Sequence, residues 1–191
     1  MYNNNNATNV TAGKPKIGGA IFTAPVGTPL PTSTTEALDD AFKNLGYCSD
    51  SGLVNSTNIE VQKIKAWGGD TVLVIQSSKE DTFKYTLIEV KNLDVLKYVY
   101  GSDNVSGDLE SGIVVKANGS EAEERSIVID MIMRDKTAKR IVIPSGKVSE
   151  IGDINYTDED AVGYETTLDC TPDAAGNTHY EYILKEGTPS A

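Results

Sequence analysis

Ile64-Lys-Ala-Trp67-Gly68-Gly69-Asp70-Thr-Val-Leu-Val-Ile-Gln76, followed after a short polar break by Thr82-Phe-Lys-Tyr-Thr-Leu-Ile-Glu-Val90, is the stretch on which the fold turns. A Gly-Gly pair between an apolar approach and a β-branched run is the composition of a two-residue hairpin turn, both of whose residues must reach positive φ without a Cβ clash. Thr71–Gln76 is dense in Val, Leu and Ile at both parities, which predicts a strand that water reaches from neither side. Phe83, Tyr85 and Leu87 alternate with Lys84 and Thr86, the period of a strand with one covered face. Trp67 is expected to pack on the sheet as a hairpin anchor, as large aromatics near tight turns do.

Outward from the hairpin, Asn58–Trp67 reads as extended and Gly46–Gly52 as a turn-rich loop. Ser33-Thr-Thr-Glu36 has the spacing of a capping box, with Ala37, Leu38, Ala41, Phe42 and Leu45 on one helical face and Gly46 as a stop, which predicts a helix over Thr34–Leu45. Asn92 can cap a second, short helix carrying Leu93, Leu96 and Val99 on one side and ending at Gly101. Gly112–Lys116 reads as a short strand, with Asn118-Gly119 as a hairpin turn. Arg125–Arg134 and Lys139–Pro144 form a pair of strands, and Ala161–Cys170 with His179–Lys185 read as a terminal hairpin. Residues 1–13, rich in Asn and Thr, have little to bury. The chain therefore divides into an N-terminal arm (1–16), a mainly β domain (17–185) and a short C-terminal tail (186–191), both ends expected to be flexible.

The net charge of −11 is concentrated near the C-terminus. Between Val148 and Leu184 stand Glu150, Asp153, Asp158, Glu159, Asp160, Glu165, Asp169, Asp173 and Glu181, with no Lys or Arg. Such a surface repels phosphate backbones. No apolar run is long enough to span a bilayer, and the first residues lack a basic start and an apolar stretch, so neither a membrane span nor a secretion signal is expected. Cys48 and Cys170 read as small hydrophobes.

Catalysis has little to stand on. His179 is the only histidine and has no partner motif. No nucleophile elbow, phosphate loop or dinucleotide fingerprint occurs. Asp153–Tyr164 imitates a calcium loop at its first places, but Asp158 stands where that loop needs Gly and Tyr164 where it needs Glu. No cofactor or metal is expected. A β protein with polar arms, Gly-rich loops and no reactive site suits either a self-assembling building block or a monomeric binding module.

Gly46-Tyr-Cys-Ser-Asp-Ser-Gly52, Lys65-Ala-Trp-Gly-Gly-Asp-Thr71, Thr82-Phe-Lys-Tyr-Thr-Leu-Ile-Glu89 and Leu96-Lys-Tyr-Val-Tyr-Gly101 occur here in the order seen in the major tail tube proteins of long-tailed, siphovirus-type bacteriophages. Arg140-Ile-Val-Ile-Pro-Ser-Gly-Lys147, Ala161-Val-Gly-Tyr-Glu165 and Tyr180-Glu-Tyr-Ile183 extend the resemblance to nearly the whole chain. It implies a β-sandwich or β-barrel with one or two short α-helices and long loops. It also implies a non-enzymatic subunit that assembles in the host cytoplasm as hexameric rings, stacked into a hollow virion tail tube that conducts DNA during ejection. The partners it implies are sister copies, a tape-measure protein, tail terminator and distal tail (baseplate) proteins, and DNA in non-adhesive passage, with no membrane. Under that reading Trp67, Gly68, Gly69, Ser102, Asp103, Asn104 and Gly107 are candidate subunit-interface positions, and Glu89 and Asp130 are candidate acids of the lumen. The alternatives are an inner-tube protein of a contractile injection or type VI secretion system, and a virion decoration or adhesion β-sandwich that does not polymerise.

Overall fold

The most continuous apolar alternation in the chain builds the middle of the sheet in the computed structural model, which describes residues 5–185. The strands are β1 (Gly13–Pro15), β2 (Ile21–Pro25), β3 (Lys43–Asn44), β4 (Cys48–Lys65), β5 (Thr71–Leu87), β6 (Val105–Asp108), β7 (Gly112–Val115), β8 (Glu124–Met133), β9 (Thr137–Ile151), β10 (Tyr164–Thr171) and β11 (Tyr180–Lys185), with one α-helix, α1 (Leu93–Tyr100), between β5 and β6. Nine strands form one antiparallel sheet in the order β3-β2-β8-β9-β10-β5-β4, with β1 added to β8 and β11 to β9, while β6 and β7 pair separately. The protein is mainly β, as its sequence predicts.

β8 and β9 meet at a turn in which Asp135 and Lys136 both have φ of 63°, the left-handed pair that a two-residue hairpin turn takes. Asp135 Oδ1 steadies it by accepting from Thr137 Oγ1 at 2.9 Å. Ile127 faces Ile143 and Ile129 faces Ile141 across the ladder. All four enter the main core, while Val128 and Val142, at the other parity, join Ala24 and Phe42 in a second cluster on the opposite face. Over the main face lies α1, capped by the Asn92 side chain, which accepts from the Asp94 N–H, and ended by Gly101 at φ 91°. Val95, Leu96 and Val99 pack there with Phe83, Tyr85 and Leu87. The Tyr85 and Tyr98 hydroxyls share a buried hydrogen bond of 2.6 Å, and burial pushes both phenols above their ordinary pKa. Cys48 and Cys170 are half-buried thiols against the same core, raised by burial to about 11 and about 12.

The structure overturns three expectations of local structure. Thr34–Leu45 contains no helix. The capping contacts do form, with Glu36 N–H donating to Ser33 Oγ at 3.1 Å and Thr32 N–H to Glu36 Oε2 at 2.6 Å. However, Arg140 Nη1 donates to the carbonyls of Ser33 (3.0 Å) and Glu36 (2.7 Å), groups that a continuing helix would have used four residues on. The apolar residues of the expected helical face still reach the sheet, Leu38, Ala41 and Phe42 packing in the second cluster from turns.

The Asn118-Gly119 turn does not form a hairpin either. β7 pairs back to β6, Val115 opposite Val105, around a turn in which Asp108 Oδ1 accepts from Glu110 N–H at 3.0 Å and Ser111 N–H at 2.7 Å. Nor do β10 and β11 pair with each other. They lie end to end on one edge of β9, Thr166–Thr171 against Ile151–Ser145 and Tyr180–Lys185 against Val142–Thr137, because β9 is long enough to carry both. Near the N-terminus, Gly13–Pro15 pairs with Met131–Met133. The first four residues and the expected C-terminal tail lie outside the described residues.

Candidate assembly interface

β4 and β5 form one long ladder, from Leu53 opposite Tyr85 out to Lys65 opposite Thr71. Near its root the ladder belongs to the body: β10 pairs with β5 from Thr82 to Leu87, and Asp81, Phe83, Tyr85 and Leu87 are buried. Beyond that level β5 has no second partner among the described residues, and every residue from Val54 to Ser77 is exposed. At about 3.3 Å per residue, the strand from Asn58 to Lys65 carries the turn roughly 25 Å beyond the body.

At the tip, the Gly69 N–H donates to the Ala66 carbonyl at 3.0 Å and the Ala66 N–H to the Asp70 carbonyl at 2.8 Å. Trp67 and Gly68 are thus the central residues of the turn, and Gly68 and Gly69 have φ of 110° and 99°. Nothing would crowd a Cβ at either glycine, so the left-handed backbone is what requires them. Trp67 is fully exposed. The expectation that it anchors on the sheet is corrected, because the turn lies beyond any surface of its own chain.

The same geometry corrects the expectation that Thr71–Gln76 is covered on both faces. Val72, Leu73, Val74 and Ile75 are 61, 50, 53 and 43 % exposed; the strand is apolar on both faces, and its own chain supplies no layer for either. The register, with an irregularity between Glu60 and Val61, sorts the side chains. One face carries Asn58, Glu60, Gln62 and Ile64 with Leu73, Ile75, Ser78 and Glu80. The other carries Ile59, Val61 and Lys63 with Val74, Gln76 and Lys79 and runs on into the buried face of the body.

A buried carboxylate fastens the root. Asp81, 1 % exposed, accepts from Thr57 Oγ1 at 2.5 Å, from Lys79 Nζ at 2.9 Å and from Thr178 Oγ1 at 2.5 Å. His179 stands 3.9 Å away, edge-on to Phe83 at 5.3 Å. Burial pushes the Asp81 carboxyl up, but the bonds from Thr178, Thr57 and Lys79 outweigh it and hold it at about 2. Both strands of the hairpin are thereby tied to the loop between β10 and β11. Sequence reading singled out none of these contacts, because residues 57, 81 and 178 meet only through the fold.

The two candidate lumen acids are otherwise engaged. Asp130 is 5 % exposed and receives Arg140 Nε at 2.6 Å and Nη2 at 2.8 Å, with Lys16 Nζ at 3.8 Å; its assignment to a lumen is corrected. Glu89 accepts from the Tyr47 N–H at 3.0 Å and Asn92 Nδ2 at 3.1 Å, joining the start of β4 to the cap of α1. Ser102, Asp103 and Asn104 form a single turn after α1. The Ser102 N–H donates to Glu123 Oε1 at 2.8 Å, and Asn104 Oδ1 accepts from Asn118 Nδ2 at 2.8 Å. At Gly107, φ is 85° and a Cβ would overlap the Gly112 carbonyl, so glycine there serves the β6–β7 pairing. The carboxylates on the open faces of the projecting hairpin are Glu60 and Glu80. Their signal in the sequence is that the partner of the apolar strand is too polar to be a core strand.

None of the helices is long and apolar enough to cross a membrane, and no cluster of acidic, His and Cys side chains could hold a metal, among the described residues. No curated protein matches the chain. The family model described as "Phage tail tube protein" matches residues 1–191. A β body with a long, two-sided apolar hairpin left bare and a family match over the full sequence agree: the chain belongs to the phage tail tube protein family, structural proteins of the virion tail that assemble with themselves and with other tail components.

Proposed function

We propose that this chain is the major subunit of a siphovirus-type tail tube, assembling as hexameric rings that stack into a hollow conduit for DNA during ejection. The observation that carries this reading is the outer β4–β5 hairpin, exposed from Val54 to Ser77 and with apolar residues on both faces. A patch of that kind marks a surface meant to be covered. β4 pairs only with β5, and β5 beyond Thr82 pairs only with β4, among the described residues. Sister hairpins set side by side close both edges into a continuous barrel. Permanent interfaces of this kind bury on the order of 2,000 Å² or more.

In such a barrel one hairpin face turns inward. The face with Asn58, Glu60, Gln62, Ser78 and Glu80, joined toward the tip by Ile64, Leu73 and Ile75, suits the bore, since carboxylates there keep the phosphate backbone from adhering. The opposite face suits contact with neighbouring bodies. Ser102–Gly107 with the β6–β7 turn, where Leu109 is 68 % exposed, forms a further subunit contact. The tape-measure protein occupies the bore before DNA does, and terminator and baseplate proteins cap the two ends. Assembly takes place in the host cytoplasm.

Negative-stain microscopy of concentrated protein, alone and with the tape-measure protein of the same phage, tests this. Rings or tubes of uniform width are expected. Protein that stays monomeric under both conditions overturns the proposal and favours a decoration protein.

A further inference from the structure

Trp67 is the only tryptophan in the chain, and it stands fully exposed on the tip of the longest projection in the molecule. Ile64, Val72 and Leu73 beside it are 42, 61 and 50 % exposed. The tip cannot bend back onto its own body without breaking the ladder that holds it there, so whatever covers the indole belongs to another chain. In a self-assembling family, the first chain at hand is a second copy.

The body offers a matching recess. A cavity of about 400 Å³ opens where the curled sheet fails to close, between β1 and the start of β4, and its apolar walls include Ile21, Leu53, Tyr85, Ile129, Met131 and Met133. Methionine sulfurs make favourable contacts with aromatic rings. Lys14 and Lys139 also line the cavity, opposite in sign to Asp70 of the tip. Of two further recesses, one, of about 530 Å³, lies along Ile88–Asn92 with Leu109 and is a shallow surface trough; the other, of about 450 Å³, is lined by residues 15–20, Asn44, Gly46, Tyr47, Cys48 and Glu89, and so holds a carboxylate and no methionine.

Position in the fold completes the argument. The recess lies at the beginning of β4, at Cys48–Leu53, and the tip lies at the end of the same strand. They are separated by roughly 45 Å at the rise of an extended strand. A contact between opposite ends of one element is head-to-tail; such contacts form a ring where the rotation closes and otherwise repeat along an axis, and with the ring already closed by the hairpin edges under the proposed assembly, this one is left to run along the tube. We propose that Trp67 of one copy seats in the recess floored by Met131 and Met133 at the hairpin root of a second copy, and that this contact stacks one ring on the next. The inference rests on the tail tube reading and adds to it the pair of surfaces that join successive rings.

Because the chain has one tryptophan, its fluorescence reports on the surroundings of Trp67 alone. The full-length protein is measured before and after tube formation. A blue shift of the emission and loss of acrylamide quenching are expected on assembly. In a second arm, Asp70→Cys/Lys14→Cys protein is assembled and oxidised, with the parent protein, retaining Cys48 and Cys170, as control. Covalent ladders of many subunits are expected from the double variant only. Trp67→Ala, a change at an exposed position, should leave the thermal transition where it was and yield short or unstacked rings. Tubes whose indole stays open to quencher, or Trp67→Ala tubes of ordinary length, overturn the inference while the tail tube reading stands. A blue shift without the double-variant ladder overturns the choice of recess. Failure of the parent protein to form any tube overturns both.

Discussion

Two buried carboxylates show how single residues here serve architecture. Asp130 and Arg140 face each other across β8 and β9 in a two-point ion pair, and Arg140 Nη1 donates to the carbonyls of Ser33 and Glu36. Removing one partner leaves a charge without compensation in the interior. Asp130→Ala is therefore expected to lose about 3–5 kcal/mol in denaturant titration, whereas a lumen residue would tolerate the change. Asp81 makes a prediction in pH. Its folded pKa of about 2 lies below the ordinary 3.8, so the ionised form favours the fold. The stabilisation is complete above the ordinary carboxylate range and is lost as pH falls from about 4 toward 2. Asp81→Asn should melt below the parent protein at neutral pH, with the gap closing over that acidic window; a gap independent of pH would contradict the account.

At the scale of elements, the hairpin and α1 behave oppositely. α1 packs on the core through Val95, Leu96 and Val99, and its start depends on the Asn92 side chain. Asn92→Ala should cost about 1 kcal/mol of global stability, read as a shift in the denaturation midpoint. Apart from Lys79, which donates to Asp81, the outer hairpin contributes nothing to that core. Replacing residues 58–80 with a two-residue Asn-Gly turn is expected to leave the near-ultraviolet circular dichroism of the body intact and to abolish assembly; loss of the folded signal would mean that the hairpin supports the body. Thr34–Leu45 shows the reverse lesson. Its capping box and apolar spacing are those of a helix, and a buried arginine that needs carbonyl partners takes the backbone instead.

Over the whole molecule, charge and exposed apolar area divide the labour. The net charge of −11 keeps a chain with a bare hairpin from collapsing on its neighbours at random, while under the proposed assembly the hairpin supplies the adhesion. Under the proposed assembly, Glu60→Lys/Glu80→Lys should still form tubes, since neither residue is in the core, but these tubes should retain DNA in co-sedimentation. That retention should weaken steeply as salt rises, because each phosphate contact releases counterions. Tubes that stay free of DNA at low salt would remove these two residues from the bore.

By themselves, the residues already carried the mainly β class, a hairpin turn that includes Gly68 and Gly69 though centred on Trp67 and Gly68, the helix capped by Asn92 and the strands around Ile127 and Ile141, because each follows from periodicity or backbone conformation within a few positions. They also carried the absence of any recognisable catalytic motif. Where the apolar strand Thr71–Gln76 would sit, whether Trp67 and Asp130 were open or buried, and which strands β7, β10 and β11 would pair with were decided by the tertiary structure. A run of Val, Leu and Ile has the same pattern whether its cover comes from its own chain or from another. Burial is a property of distant neighbours, and here the body ends at Asp81, so that no described part of the chain covers the rest of the hairpin.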